Sequence, residues 1–187
     1  MAKQEKETAN AAADSLNKKI RLWAIIGDSD SGKSTSIGYL VSHLGRGRPS
    51  YRYIYLRGGG YLLMYVRKQS LQEAKRTPEK VVVDTIAEAR KLATREKVNL
   101  AWFNVLYAIR SDTVNGLPTA DAYLSHFVDC GWKIESLILM NYKSNPHARY
   151  YNFGAPTYEL HDAAKLVRDP STHTHMVGQI RNHFGWA

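Results

Sequence analysis

Cysteine is nearly missing from this chain, with Cys130 standing alone among 187 residues. A single thiol excludes an internal disulfide and a zinc cluster held by cysteines, and it fits a reducing compartment, so a cytoplasmic protein is expected. Cys130 precedes Gly131 at an expected helix end and reads as a small buried residue. Long apolar runs are missing as well. None approaches the roughly 20 residues that carry a helix across a bilayer, so no membrane partner is expected. The segment from Met1 to Lys19 mixes Lys, Glu, Ala and polar residues without the apolar stretch of a signal peptide, and reads as a flexible, frayed arm or a marginal helix. Internal repeats and dividing linkers are lacking too. Residues 20–187 are therefore expected to form one domain, for which a hydrophobic content of 44% supplies the core.

Acids are scarce beside bases, 17 against 26, and the imbalance is local. Residues 46–76 hold eight Lys or Arg and only one acid, Glu73, so this stretch carries seven of the chain's nine net positive charges. Charge gathered in this way raises a stronger field than the same charge scattered, and suggests a surface for a polyanion such as DNA or RNA. Arg52, Arg57, Arg67 and Lys68 are the candidate contacts. The competing reading is a solvated hairpin kept soluble by its arginines.

Against these absences stands one dense motif. Gly27 to Ser34 reads G-D-S-D-S-G-K-S, with Thr35 following, and matches the spacing G-x-x-x-x-G-K-[ST] of a phosphate-binding loop. An apolar run of strand type, Ile20 to Ile26, precedes it, and Ser34 to Leu44 follows with helical spacing, Gly45 standing where a C-cap belongs. The chemistry requires these residue types. Gly27 and Gly32 permit backbone conformations closed to other residues, and main-chain N–H groups from about Ser29 to Ser34, through Asp30 and Ser31, converge on a polyphosphate at the positive end of the helix. Lys33 would reach the β- and γ-phosphates of ATP, and the Ser34 hydroxyl would ligate Mg²⁺. Asp28 and Asp30 put two carboxylates inside the loop, and Asp30 is the better candidate for a base or water-orienting group, with a solvent-facing turn former as the alternative.

On these residues the segment from about 20 to 45 resembles the P-loop NTPase superfamily. The resemblance implies an α/β fold with the loop following a central strand. Beyond it, Tyr51 to Arg57 and Tyr61 to Arg67 flank Gly58-Gly59-Gly60 and predict a β-hairpin with Tyr51, Tyr53 and Tyr55 on one face of its first strand. Those tyrosines suit either base stacking or cross-strand packing. Thr77-Pro78-Glu79 predicts a helix start, the helix running to about Glu96, which makes Asp84 helical rather than a strand-end metal ligand. Val98 to Ile109 is expected as a long central strand delivering Arg110, Ser111 and Asp112 at its carboxyl end. Asp112 is thus the preferred second metal partner, or else simply opens the turn at Asn115-Gly116. A helix from Thr119 to Val128, a parallel strand from Ile134 to Met140, an irregular loop to Pro156, a short helix from Tyr158 to Val167 and a terminal helix from Met176 to Phe184 complete the expectation. His161, Asp162, His173 and His175 lack a firm ligand spacing.

The order strand, phosphate loop, helix, hairpin, helix, strand, helix, strand implies a three-layer sandwich on a mostly parallel sheet. A hairpin after the first helix is also similar to small GTPases. Their N-K-x-D motif would fall at Asn141-Tyr142-Lys143-Ser144, where the discriminating aspartate is missing, and ATP is the expected nucleotide. Three classes of function follow: a Mg-dependent ATP hydrolase with a basic hairpin facing nucleic acid, a small-molecule or nucleotide kinase whose arginines hold an anionic acceptor, or a non-catalytic module regulated by bound nucleotide. Lys33, Asp30 and Asp112 are the candidate catalytic residues.

Overall fold

The apolar run Ile20–Gly27 forms strand β1 in the computed structural model, which describes residues 15–41, 50–140, 148–161 and 170–187. It is followed by α1 (Lys33–Leu40), β2 (Ser50–Tyr55), β3 (Tyr61–Arg67), α2 (Pro78–Glu96), β4 (Phe103–Arg110), α3 (Ala120–Asp129), β5 (Lys133–Met140), α4 (Ala148–Tyr151), β6 (Thr157–Leu160) and α5 (Pro170–Phe184). The six strands form one sheet in the order β2-β3-β4-β1-β5-β6. Only the β2–β3 hairpin is antiparallel, and the other neighbours run parallel.

β1 is apolar on both faces because both are covered, as a parallel sheet with helices on either side demands. Ile20, Leu22, Ala24 and Ile26 join Val105 and Tyr107 beneath α2 and α3. Trp23 and Ile25 join Leu106 and Ala108 beneath Ile37 and Leu40 of α1 and Met176 and Ile180 of α5. The result is the expected α/β architecture of three layers. β1 pairs with β4 over its full length, from Ile20 beside Phe103 to Gly27 beside Arg110, so their carboxyl ends are level. The chain leaves β1 toward α1 on one face, whereas β4 leads to α3 on the other. Such a divergence opens a crevice beyond the strand ends.

The helix start at Pro78 is as expected, with the Thr77 hydroxyl accepting from the Lys80 N–H. Asp84 lies on α2 and pairs with Arg76 at 2.6 Å and Lys80 at 3.0 Å, which accounts for it structurally.

Several element boundaries differ from the sequence reading, among them the terminal helix, which begins at Pro170 rather than Met176. The strand expected from Val98 begins at Phe103, because Lys97 closes α2 in a left-handed conformation (φ 52°) and the chain needs residues 98–102 to return to the sheet. The helix expected from Tyr158 is not formed over its first residues. Thr157–Leu160 is instead an edge strand, since the outer edge of β5 offers ladder bonds that a helix would leave unmade. The stretch expected as an irregular loop contains a helical turn, Ala148–Tyr151, which buries Tyr150. α1 runs to Leu40 rather than Leu44, and Gly45, Asn141 to Pro146, Asp162 and residues 1–14 of the expected arm lie outside the described residues. At the arm's inner end Asn17 is buried and accepts a hydrogen bond from the Trp132 indole at 3.1 Å.

Candidate functional site

The motif lies at the carboxyl end of the central strand. Gly27 is the last residue of β1, and a Cβ there would come within 2.5 Å of the Met140 carbonyl oxygen and 2.7 Å of Ser31 Oγ. Only glycine lets the loop leave between β4 and β5 so closely. Asp30 (φ 55°) and Gly32 (φ 89°) turn the chain through the left-handed region, and Gly32 is the N-cap of α1 with no side chain capping the helix. The first N–H groups of that helix therefore have no side-chain acceptor.

Lys33 fills the loop from within. Its ammonium donates to the Gly27 carbonyl at 2.8 Å, the Asp28 carbonyl at 2.5 Å and Ser31 Oγ at 3.2 Å, and the residue is only 5% exposed. Burial pulls its pKa down to about 8, partly offset by the carboxylates of Glu73, Asp112 and Asp28 within electrostatic reach. Among the described residues no carboxylate is in ion-pair contact with it. Ser34 Oγ donates to the Lys68 carbonyl at 3.0 Å, which ties the start of α1 to the end of β3. Lys68 reaches the same helix with its side chain, since a Cβ on Gly38 would lie 3.0 Å from its Nζ.

The neighbouring strand end brings the remaining charge. Ser111 donates its N–H to the Gly27 carbonyl at 3.2 Å and its hydroxyl to Asp28. Arg110 grips Asp112 with two hydrogen bonds of 3.0 and 2.7 Å, which lowers the carboxyl pKa and raises that of the guanidinium. Asp112 also acts electrostatically on Lys33, and it begins the turn that holds Asn115 (φ 54°) and Gly116 (φ 72°). Asp30 faces solvent, bonded by the Ser29 hydroxyl at 3.3 Å, whereas Asp28 is the loop carboxylate turned toward β4.

Gln72 is the buried organiser that sequence reading missed. Its side chain accepts from the Arg110 N–H at 3.0 Å and donates to the Arg110 and Pro118 carbonyls at 2.9 and 3.2 Å. A lone Gln between a strand and a helix carries no signal, and its role appears only when the β3–α2 connection folds over β4.

The four candidate polyanion contacts do not come together. β3 runs parallel to β1, so Arg67 and Lys68 end at the carboxyl edge of the sheet, beside the Gly27–Ser34 loop, while the hairpin tip lies at the opposite edge, about 20 Å away at ~3.3 Å per residue. Arg67 lines an open cleft of about 480 Å³ with Tyr65, Arg76, Asp84, Glu88 and Lys91. Arg52 is half-buried in mid-strand and donates to the Tyr51 carbonyl at 2.8 Å. Arg57, at the tip, donates to the Trp186 carbonyl at 3.2 Å and to Asn182. Arg46 and Arg48 lie outside the described residues. Among the histidines, His161 and His175 are exposed, and the described residues contain no group of three His, Cys, Asp or Glu able to hold a metal. No family model, curated protein or solved structure matches the chain. No described helix is long and apolar enough to cross a membrane.

Proposed function

We propose that this protein binds Mg-ATP at Gly27 to Thr35 and hydrolyses it, as a protein of P-loop NTPase type, with DNA or RNA as the partner of its basic region. The observation that carries this reading is the buried Lys33 ammonium, held by neutral oxygens at an uncapped helix start beyond the central strand. A buried cation without a direct counter-ion is costly to maintain, and a phosphate oxygen is the partner that would repay its desolvation. The loop amides and the positive end of α1 would receive the polyphosphate, and Lys33 would turn from its own carbonyls to the β- and γ-phosphates.

Magnesium fits the donor set, because Ser34, Asp28 and Asp112 are hard oxygen ligands around the loop. When bound, the ion would neutralise charge on the phosphate oxygens. Ser34 must exchange its bond to the Lys68 carbonyl to serve it. Arg110, fixed by Asp112, supplies a second cation on the β4 side, and Asp30, on the solvent side, is the candidate to orient the attacking water.

The kinase reading needs an acceptor within about 3–3.5 Å of the transferred group. Arg52 and Arg57 lie too far from the loop to hold one, so an anionic acceptor would fall to Arg67 and Lys68, which end beside the loop. Calorimetry of Mg-ATP with wild type and Lys33→Ala, followed by phosphate release, tests the reading. Equal affinity in the two proteins rejects it, and binding without release in the presence of single-stranded or duplex nucleic acid turns it into the non-catalytic module.

A further inference from the structure

The hairpin tip carries a feature that the phosphate loop does not use. Tyr53, Tyr55 and Tyr61 are 63%, 67% and 61% exposed, and share one face of the β2–β3 hairpin. Tyr55 stands directly opposite Tyr61, and the Tyr53 ring meets the Tyr61 ring edge-on at 5.1 Å. Cross-strand packing explains why tyrosines pair here, but not why most of each ring remains in water. The next pair along the same face shows the contrast. Tyr51 and Tyr65 are covered by α2 and pack on Phe103, so the helix stops short of the three outer rings.

Two observations narrow what could cover them. The outer main-chain edge of β2 is already taken near the tip, since Trp186 bridges Leu56, the Ala187 N–H donates to the Tyr55 carbonyl at 2.8 Å, and the Arg57 N–H donates to the Gly185 carbonyl at 3.1 Å. Strand addition at these residues is blocked, which leaves ring faces as the means of recognition. One neighbouring cation carries no carboxylate. Arg57 is held only by neutral acceptors among the described residues, and the Arg95 guanidinium, paired with Glu96 at 2.7 Å, lies 5.5 Å from the adjoining Tyr51 ring. Exposed rings bordered by arginines suit a polyanion that also offers π faces.

We propose that Tyr53, Tyr55 and Tyr61 form a stacking platform for unpaired bases of single-stranded nucleic acid, at the sheet edge opposite the phosphate loop, with Arg57 and Arg95 on its phosphates. This rests on the reading that nucleic acid is the partner and fixes both its strandedness and its location. A duplex hides its base faces and cannot use the rings.

The test uses the full chain at low salt, with labelled oligo-dT and oligo-U of about 20 nucleotides and a duplex of equal length. Single strands should bind at least about tenfold more tightly than the duplex, and replacing Tyr53, Tyr55 and Tyr61 together by Ser should remove at least about tenfold of that affinity, while the triple Phe variant keeps it. Mg-ATP binding by the same variants reports their fold. Photocrosslinking of iodouracil-containing strands to wild type, with peptide mapping, gives a readout that needs no variant, and crosslinks should fall on the three tyrosines. Equal binding of duplex and single strand, an undiminished Ser variant, or crosslinks confined to other residues overturns the proposal while leaving a nucleic-acid partner standing. Absence of all nucleic-acid binding overturns both, without touching the ATP reading. Sedimentation showing a dimer that the Ser variant dissolves assigns the rings to a second copy and also overturns it.

Discussion

Lys33, at the carboxyl edge of the sheet, is 5% exposed, whereas Tyr55, at the amino edge, is 67% exposed, the reverse of what side-chain polarity alone would arrange. The carboxyl edge gathers cations and carboxylates and satisfies them internally: Lys33 on the loop carbonyls, Arg110 on Asp112, Ser111 on Asp28 and Gln72 across Arg110. The amino edge exposes ring surface and ties its main chain to the C-terminal residues instead. A ligand at the first edge must exchange existing polar contacts, so specificity there comes from charge and oxygen geometry. A ligand at the second displaces only water, so binding there is governed by ring area and salt. Mutations at the two edges should separate cleanly, because about 20 Å of strand lies between them.

The largest effect is expected from Lys33→Ala. Loss of a charge-assisted contact of about 2–3 kcal/mol lowers Mg-ATP affinity at least about thirtyfold by calorimetry. The same variant should leave single-strand binding unchanged. A parallel loss of nucleic-acid affinity would show that the two edges are one site.

Salt sharpens the contrast next. Single-strand affinity should fall by an order of magnitude or more between about 50 and 200 mM salt if several phosphates are contacted. Replacing Arg57 and Arg95 by Gln should flatten that slope. Replacing Arg67 and Lys68 should not, because those cations end at the other edge. If the Arg67 and Lys68 pair carries the slope, the polyanion runs along the phosphate-loop edge instead.

Gly27→Ala probes how tightly that loop is built. A Cβ within 2.5 Å of the Met140 carbonyl forces β1 and β5 apart, at an expected cost of about 1–3 kcal/mol and several degrees in Tm. The triple substitution of the exposed tyrosines by Ser should cost far less, since each removes mostly wet surface. Thermal unfolding of the two variants side by side checks this.

These contrasts separate what was legible in the chain from what was not. The strand, loop and start of α1 were readable because Gly27, Gly32 and Lys33 at that spacing leave few other backbones, and Pro78 announced α2 in the same local way. β6 was unreadable because Thr157–Leu160 is a strand only by virtue of the free edge of β5, which no local pattern reports. The scatter of the basic residues was hidden for a related reason. Arg57 and Arg67 are close in sequence, yet a parallel β3 sends its two ends to opposite edges of the sheet. Hairpin spacing revealed the tyrosine face, but how much of it α2 covers depends on where that helix stops.

The smallest expected effect is a response to pH at one edge and not at the other. The ammonium of Lys33 titrates near 8 in the folded protein, against about 10.5 when free, because burial disfavours its charge. Phosphate binding requires that charge, so Mg-ATP affinity should fall by about twofold from pH 7 to 8, with proton uptake on binding detected by calorimetry in buffers of different ionisation enthalpy. Stability moves the other way. Between about pH 8 and 10.5 the unfolded chain holds the Lys33 proton more firmly than the folded one, so this residue's contribution to folding stability rises with pH through that window. Lys33→Met should abolish both trends, and single-strand binding at the tyrosine edge should show neither. A pH-independent ATP affinity in wild type would mean that Lys33 is not the group that meets the phosphates.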